Sequence, residues 1–243
     1  MAIELPSEVA QLLQFIGISW PLVNEDKVRE FATHIDQFAA NVESTHQDAT
    51  ATIQKAGGSY SGAAYQALVT KWADMSSTHM QDLLSACRVL ADALNAAADY
   101  IVAMKLEAIA ELVVLAASFI ADQAAAIATF GLAEAGLALI EEAAEKAVEF
   151  LKQQLVQYII AQVIEAALNP LIAVVAKAVD GLAYSAVASM LGTTGDSEAA
   201  LGESFGVDPD ELSAHAATMH VHAETMAGHV ATFKANVAGA SFT

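Results

Sequence analysis

Four histidines near the C-terminus are the side chains whose types and spacing come closest to a chemical site. His215, His222 and His229 recur every seven residues and His220 lies among them, so a helix would carry them as a stripe along one side. Imidazoles bind metal ions, and their charge changes between about pH 5 and 8. Histidines seven apart are separated by about 10 Å along a helix axis, which is too far for one zinc ion without a second helix. We predict no metal site, and two interpretations stay open: a pH-sensitive stripe and the polar flank of a packing seam.

No other set of side chains indicates a catalytic or cofactor site. The carboxylates between Glu141 and Glu149 lack the Glu-x2-His pairs of a di-iron bundle, so they indicate a solvated acidic face. Cys87 lies in an apolar run, which is typical of a buried structural thiol. The sequence has no glycine-rich phosphate loop, no Gly-x-Ser-x-Gly elbow and no His-Glu-x2-His pair. We therefore predict a protein that is not an enzyme and binds no cofactor.

The composition favours an all-α protein. Of the 243 residues, 56% are hydrophobic and four are proline, and long apolar-periodic stretches run without the breaks that a sheet protein requires. The net charge of −19 repels phosphates, which argues against nucleic-acid binding. Charged residues interrupt the apolar region 106–190, so no stretch reaches the roughly 18 uncharged residues of a membrane-spanning helix. The N-terminus lacks the basic and apolar regions of a Sec signal peptide.

Two heptad patterns around a glycine-rich segment predict a long antiparallel helical hairpin. The segment Gly57-Gly58-Ser59-Tyr60-Ser61-Gly62 has the composition of a bend. Before it, apolar residues follow a three-four spacing over 28–49. After it, a second apolar series over 64–101 gives the first helix its partner. A short helix within 5–18, for which Ser7 is the predicted cap, precedes the hairpin.

The C-terminal region repeats the beginning of the first hairpin helix. Val207-Asp208-Pro209 predicts a helix start, with Asp208 as the cap and Pro209 in the first turn. An apolar seam then follows an alternating four-three spacing, in the order Leu212, Ala216, Met219, Ala223, Met226, Val230, Phe233 and Val237. Because no second hairpin helix follows, we expect this seam to bind a helix of the same chain, of another hairpin or of a second copy.

These patterns divide the chain into four predicted parts. Residues 1–105 hold the N-terminal helix and the hairpin, 106–190 an alanine-rich apolar helical region, 191–206 a linker and 207–243 the heptad helix. The predicted fold is an elongated all-α bundle built on the hairpin, with additional alanine-rich helices and a C-terminal helix.

The bend carries a resemblance to a known family. The stretch from Gly58 to Ala64 lies between two heptad helices and resembles the bend of the Trp-x-Gly (WXG, ESAT-type) superfamily of type VII secretion substrates. Tyr60 stands where the family usually has tryptophan, and the matching motif residues are Gly58, Tyr60, Gly62 and Ala63. The segments Leu5-Pro6-Ser7-Glu8-Val9, Trp20-Pro21 and Tyr100-x4-Lys105 make the chain similar to the N-terminal domain of actinobacterial exported toxins and channel-forming toxin carriers.

The resemblance implies a function in protein export. It implies a non-enzymatic secretion substrate or targeting module, cytoplasmic before export and afterwards secreted or associated with the cell envelope by a Sec-independent route. The implied partners are the secretion machinery and another helical hairpin. Beyond the bend, the residues expected to contact a partner are Trp72, Tyr100, Leu212, Met219, Met226 and Phe233.

Two other functions stay open. The first is a channel or membrane-inserting protein of the cell envelope, for which membrane contact is possible but not favoured by the interrupted apolar region. The second is a cytosolic helical scaffold or assembly subunit. The usual Tyr-x3-acid export signal is absent at Tyr100, because Met104 stands at the fourth position after it. Recognition is then expected to need a signal from a partner chain.

Overall fold

The computed structural model describes residues 2–129, 134–159, 163, 169–173 and 206–242, apart from the side chains of 122–136. Six α-helices are labelled in these residues: α1 (Ser7–Ile16), α2 (Glu25–Ala56), α3 (Ala63–Met75), α4 (Gln81–Thr129), α5 (Glu134–Tyr158) and α6 (Pro209–Gly239). A π-helical turn, Ser76–Met80, joins α3 to α4. Two short strands, β1 (Tyr60–Ser61) and β2 (Gly206–Val207), pair antiparallel. The predicted all-α class, with a helical bundle built on a hairpin, is confirmed.

Local sequence signals account for the start of α2, the start of α6 and the end of α1. Asn24 caps α2, because its Oδ1 accepts a hydrogen bond from the backbone N–H of Lys27 at 3.1 Å. Asp208 caps α6 in the same way, through bonds from the N–H groups of Asp210 and Glu211. Gly17 ends α1 in the left-handed conformation, with φ of 74°. The predicted cap at Ser7 is wrong, since Ser7 is already the first helical residue and no side chain caps α1.

The first of two compact units comprises Met1–Glu30, Ala93–Ala166 and Ala240–Thr243. Its core joins the apolar face of α1 to the C-terminal half of α4 and to α5, through side chains such as Leu12, Leu112 and Val148. Trp20 packs against this core and is partly buried. The apolar residues of α1 are therefore positioned by two longer helices, which explains why a ten-residue helix is stable here.

The second unit comprises Phe31–Asp92 and Ala167–Gly239. It contains most of α2, all of α3 and the start of α4, so it holds the bend of the hairpin, and it also contains α6. The predicted α2 seam is buried in the structure at Ile35, Val42 and Ala49. Cys87 is buried on α4, as the interpretation of a structural thiol requires. The predicted domain boundaries stay a prediction, and α4 continues through residue 105 without a break.

Candidate protein-interaction site

Two glycines of the bend occupy positions where a side chain would not fit or would strain the backbone. Gly62 has φ of 116° and ψ of −178°, a region of backbone space that is essentially restricted to glycine. This conformation turns the chain from β1 into α3, whose first residue is Ala63. Gly57 has a different requirement, since a Cβ atom there would lie 2.5 Å from the hydroxyl oxygen of Tyr65. That hydroxyl donates a hydrogen bond to the carbonyl oxygen of Ile53, so the tyrosine could not move aside without losing it.

Tyr60, the aromatic residue of the bend, is half-buried and contacts a second tyrosine. Its ring lies edge-on to the ring of Tyr65, with centroids 5.9 Å apart. Its backbone belongs to β1 and pairs with Val207 in β2. The N–H of Asp208 donates to the carbonyl oxygen of Ser59 at 2.8 Å and extends this contact. Gly58 lies in the exposed turn before the strand, where its N–H donates to the carbonyl oxygen of Lys55. The segment that precedes α6 is therefore attached directly to the bend.

Helix α6 runs antiparallel along α2. Side chains meet in a regular order: Thr52 with His222, Thr45 with His229, Phe38 with Phe233 and His34 with Asn236. The two phenylalanine rings stack with centroids 4.6 Å apart. The hydroxyl of Thr52 already donates to the carbonyl oxygen of Asp48, so it accepts a hydrogen bond from Nε2–H of His222. Of the alternatives left open for the C-terminal helix, contact with a helix of the same chain is the one present in this unit.

The histidines lie within the seam of α6, which corrects part of the sequence prediction. Leu212, Met219, Met226 and Phe233 are half-buried as expected, but the residues that alternate with them on this face are His215, His222, His229 and Asn236. The predicted alternates, Ala216, Ala223, Val230 and Val237, are exposed. His220 is exposed as well and approaches Glu224 on its own helix at 3.4 Å. The histidine series and the alanine and valine series both alternate with the large apolar residues at three-residue and four-residue intervals. The sequence prediction chose the second series because it is the more hydrophobic, and that choice was wrong.

Trp72 lies ten residues beyond the bend and joins α3 to α2 through a closed hydrogen-bond network. The indole Nε1–H donates to Thr50 at 2.8 Å, and the Thr50 hydroxyl donates to the carbonyl oxygen of His46. In return, Nε2–H of His46 donates to Ser76 at 2.8 Å, and the Ser76 hydroxyl donates to the carbonyl oxygen of Trp72. The imidazole of His46 stacks on the indole at 4.8 Å. Burial lowers the pKa of His46, which favours the neutral ring.

The network lies beside an open groove between α2 and α3. The groove has a volume of about 400 Å³ and is lined by aromatic and aliphatic side chains, among them Ile53, Tyr65, Val69 and Trp72. Its polar lining consists of hydroxyl and amide groups such as those of Thr50 and Gln54. A groove of this kind suits the apolar face of another protein better than a charged small molecule.

Tyr100 belongs to the other compact unit and has a packing role there. Its ring stacks on Tyr158 of α5 with centroids 4.0 Å apart, and its hydroxyl donates to Gln154 at 3.3 Å. The structure therefore does not bring Tyr100 together with the motif residues of the bend within one unit. Its predicted contact with a partner remains a prediction.

Sequence reasoning missed one ionised pair in this first unit. Lys105 Nζ lies 2.7 Å from a carboxylate oxygen of Glu25, and their side chains are only 3% and 1% exposed. Lys105 also donates to the carbonyl oxygen of Val23, and the N–H of Ile3 donates to Glu25. Burial raises the pKa of Glu25, but the hydrogen bonds from Lys105 and from backbone N–H groups together lower it below its usual value. The missed signal was a lysine within the buried four-three series Ala98, Ile101, Lys105, Ala108 and Leu112.

Two features are absent from the described part of the chain. No three histidine, cysteine or acidic side chains approach one another closely enough there to hold a metal ion. Nor does any helix in those residues combine the length and apolarity that crossing a membrane requires. The arrangement that remains is a shaped bend, an apolar groove and a helix seam, all of which suit contacts with other proteins.

Residues 2–146 match the family model of the WXG100 like domain. The match covers the N-terminal helix, both helices of the hairpin with the bend between them, and part of α5. No curated protein sequence and no solved structure matches the chain.

Proposed function

Because this chain belongs to the WXG100-like family, we propose that it is a substrate of a type VII secretion system, in which the α2–α4 hairpin serves as a targeting and protein-interaction module without catalytic activity. The observation that carries this proposal is the bend within the matched residues, where Gly62 has a backbone conformation that glycine alone readily adopts; by the resemblance described above, Tyr60 and Gly62 are its motif residues. The chain is made in the cytoplasm and leaves it by a Sec-independent route.

The geometry of the bend supports recognition by shape. Gly62 has a backbone conformation that other residues rarely adopt, and Tyr60 is held by the ring of Tyr65 and by pairing with β2. A receptor that binds a folded hairpin by its shape requires a tip with a fixed conformation, because the entropy lost when a flexible loop is ordered on binding would weaken the complex. The phenol ring of Tyr60 fills the aromatic position with a smaller side chain than tryptophan.

An exposed heptad stripe on α4 supports a protein partner. Leu106, Val113 and Ile120 are spaced seven residues apart and are 53%, 43% and 52% exposed. Apolar residues that recur every seven positions on one helix face are typical of a surface that packs against another helix. The stripe lies in the first compact unit and is a candidate surface of its own.

Secretion of two matched glycine variants tests the proposal. Gly62→Ala strains the bend, whereas Gly228→Ala lies on α6 where a Cβ atom meets nothing within 4 Å. Each protein is expressed in strains with and without the secretion ATPase, and its amount in the medium and in the cells is measured. We expect ATPase-dependent export of the wild type and of Gly228→Ala, and retention of Gly62→Ala.

Two results would contradict the proposal. Appearance of the wild-type chain in the medium without the ATPase would remove the type VII route. Normal export of both Gly62→Ala and Tyr60→Ala would show that the secretion machinery does not recognise the bend. Circular dichroism of the purified variants separates a loss of recognition from a loss of folding.

A further inference from the structure

We propose that residues 206–242 are a built-in partner helix: in the free chain they cover the face of α2 that a helix of another hairpin occupies in a complex, and that helix displaces them. The inference rests on the proposed function for the identity of the partner. The surface itself is defined by His34, Phe38, Thr45 and Thr52 on α2, and is called the α2 face below.

The contacts between α6 and α2 have the regularity of a helix pair. From His34 to Thr52 they extend over 18 residues, or about 27 Å of helix. The step from Thr52 to Thr45 on α2 equals the step from His222 to His229 on α6, whereas the two following steps are shorter on α6 than on α2. The order of the contacts is antiparallel throughout, so the α2 face accepts an antiparallel helix.

Helix α6 is held loosely for a helix of its length. None of its residues is buried, whereas Thr45 and Thr52 on the α2 face are buried. Its second side, with Val230 and Val237, is exposed and apolar. A helix that was a permanent part of a core would bury a continuous apolar stripe. Two residues of the α2 face, Thr45 and Thr52, are thus more deeply buried than any residue of α6.

The seam of α6 explains this weak but specific attachment. Apolar residues alternate with His215, His222, His229 and Asn236, so every second contact position carries a polar side chain. Polar residues at such positions fix the register of a coiled coil and reduce its stability. A partner helix with apolar residues in these places, or with small hydroxyl side chains that pair with Thr45 and Thr52, would bind the same face more tightly.

A second attachment, at the bend, compensates for the weak seam. Backbone hydrogen bonds join the start of the segment to the bend, through the pairing of β1 with β2 and through the N–H of Asp208. Because α6 belongs to the same chain as α2, a partner helix has to compete with an intramolecular contact. This tether keeps the α2 face covered until a partner of sufficient affinity arrives, and so prevents unspecific pairing of the hairpin.

A labelled synthetic peptide of residues 206–242, added to the purified full-length chain, tests the proposal. In Met219→Asp/Met226→Asp two apolar seam residues are replaced, so the chain's own α6 leaves the α2 face and the peptide can bind there. We expect the peptide to bind this variant at least about 100-fold more tightly than the wild type, whose face is occupied by the tethered copy. Ala223→Asp is the matched control, because Ala223 lies on the exposed side of α6 and should leave binding at the wild-type level.

Equal peptide binding by the wild type and the seam variant would overturn the proposal, and so would absence of binding to a variant that remains folded. Folding is checked by the fluorescence of Trp72 in a Trp20→Phe background. Hydrogen exchange on the wild-type chain needs no variant: amides of α6 should exchange at least about tenfold faster than those of α2. Equal protection of the two helices would make α6 a permanent core element. None of these measurements depends on export, so a failed secretion assay and a failed peptide assay are distinguishable.

Discussion

Replacement of Lys105 by methionine should be among the most damaging single changes in the first compact unit. Its ammonium group is almost fully buried and neutralises Glu25, which is also buried. Methionine keeps much of the volume but leaves the carboxylate without a countercharge. Breaking a buried ion pair from one side costs about 3–5 kcal/mol. Since domains are stable by only about 5–15 kcal/mol, this unit should lose a large part of its stability.

The two tryptophans allow each unit to be followed separately. Trp20 packs against the core of the first unit and Trp72 lies in the second. In a Trp72→Phe background, urea unfolding monitored by fluorescence therefore reports on the first unit alone. Lys146→Met is the matched control, because Lys146 pairs with Glu142 on the surface of α5 and its loss should leave the unfolding midpoint unchanged.

Two further measurements sharpen the test. Glu25→Met/Lys105→Met replaces the pair with apolar groups and should recover most of the loss, since no buried charge remains. The pKa of Glu25 is lowered in the folded chain, so the stabilisation by the ionised carboxylate is complete above the unfolded value near 4.5 and is lost as the pH falls through the folded value. If Lys105→Met unfolds at the same urea concentration as Lys146→Met, the reasoning about this buried pair is refuted.

Two more predictions concern the second unit. Burial lowers the pKa of His46 below its usual 6.5, so the unfolded chain binds a proton at a higher pH than the folded chain does. The second unit should therefore lose stability as the pH falls from 6.5. In urea unfolding of a Trp20→Phe chain, His46→Gln should reduce this loss and His220→Gln should leave it unchanged. The opposite order would contradict the assignment of the network. Burial raises the pKa of the Cys87 thiol to about 11, so reaction with a disulfide reagent at pH 8 should be at least about 100-fold slower in the folded chain than in urea. Equal rates would place the thiol at the surface.

The hairpin and its bend could be predicted from the sequence because their signals are local. Asn24 and Asp208 cap helices through their own neighbouring N–H groups, and a glycine two residues after an aromatic residue marks the bend. The α2 seam was equally accessible, since a three-four spacing of large apolar residues has one interpretation on a helix.

The face that α6 turns towards α2 could not be predicted in the same way. Two candidate stripes have the same spacing, and one of them contains alanine and valine while the other contains histidine and asparagine. The choice between them depends on Thr45 and Thr52, which lie 184 and 170 residues away in the chain from the histidines to which they are hydrogen-bonded. The closed network around Trp72 has the same origin, because its members only meet once both helices have formed.

The π-helical turn at Ser76–Met80 also sets a phase within the long second arm of the hairpin. It contains one residue more than an α-helical turn would, so the series Leu68, Trp72 and Met75 continues to Leu83 and Cys87 one place later than a strict heptad predicts. One residue of helix corresponds to a rotation of about 100°. A single residue inserted into or deleted from this turn would therefore rotate α3, and Trp72 with it, by about that angle relative to the first turns of α4, although no side chain of either helix would be changed.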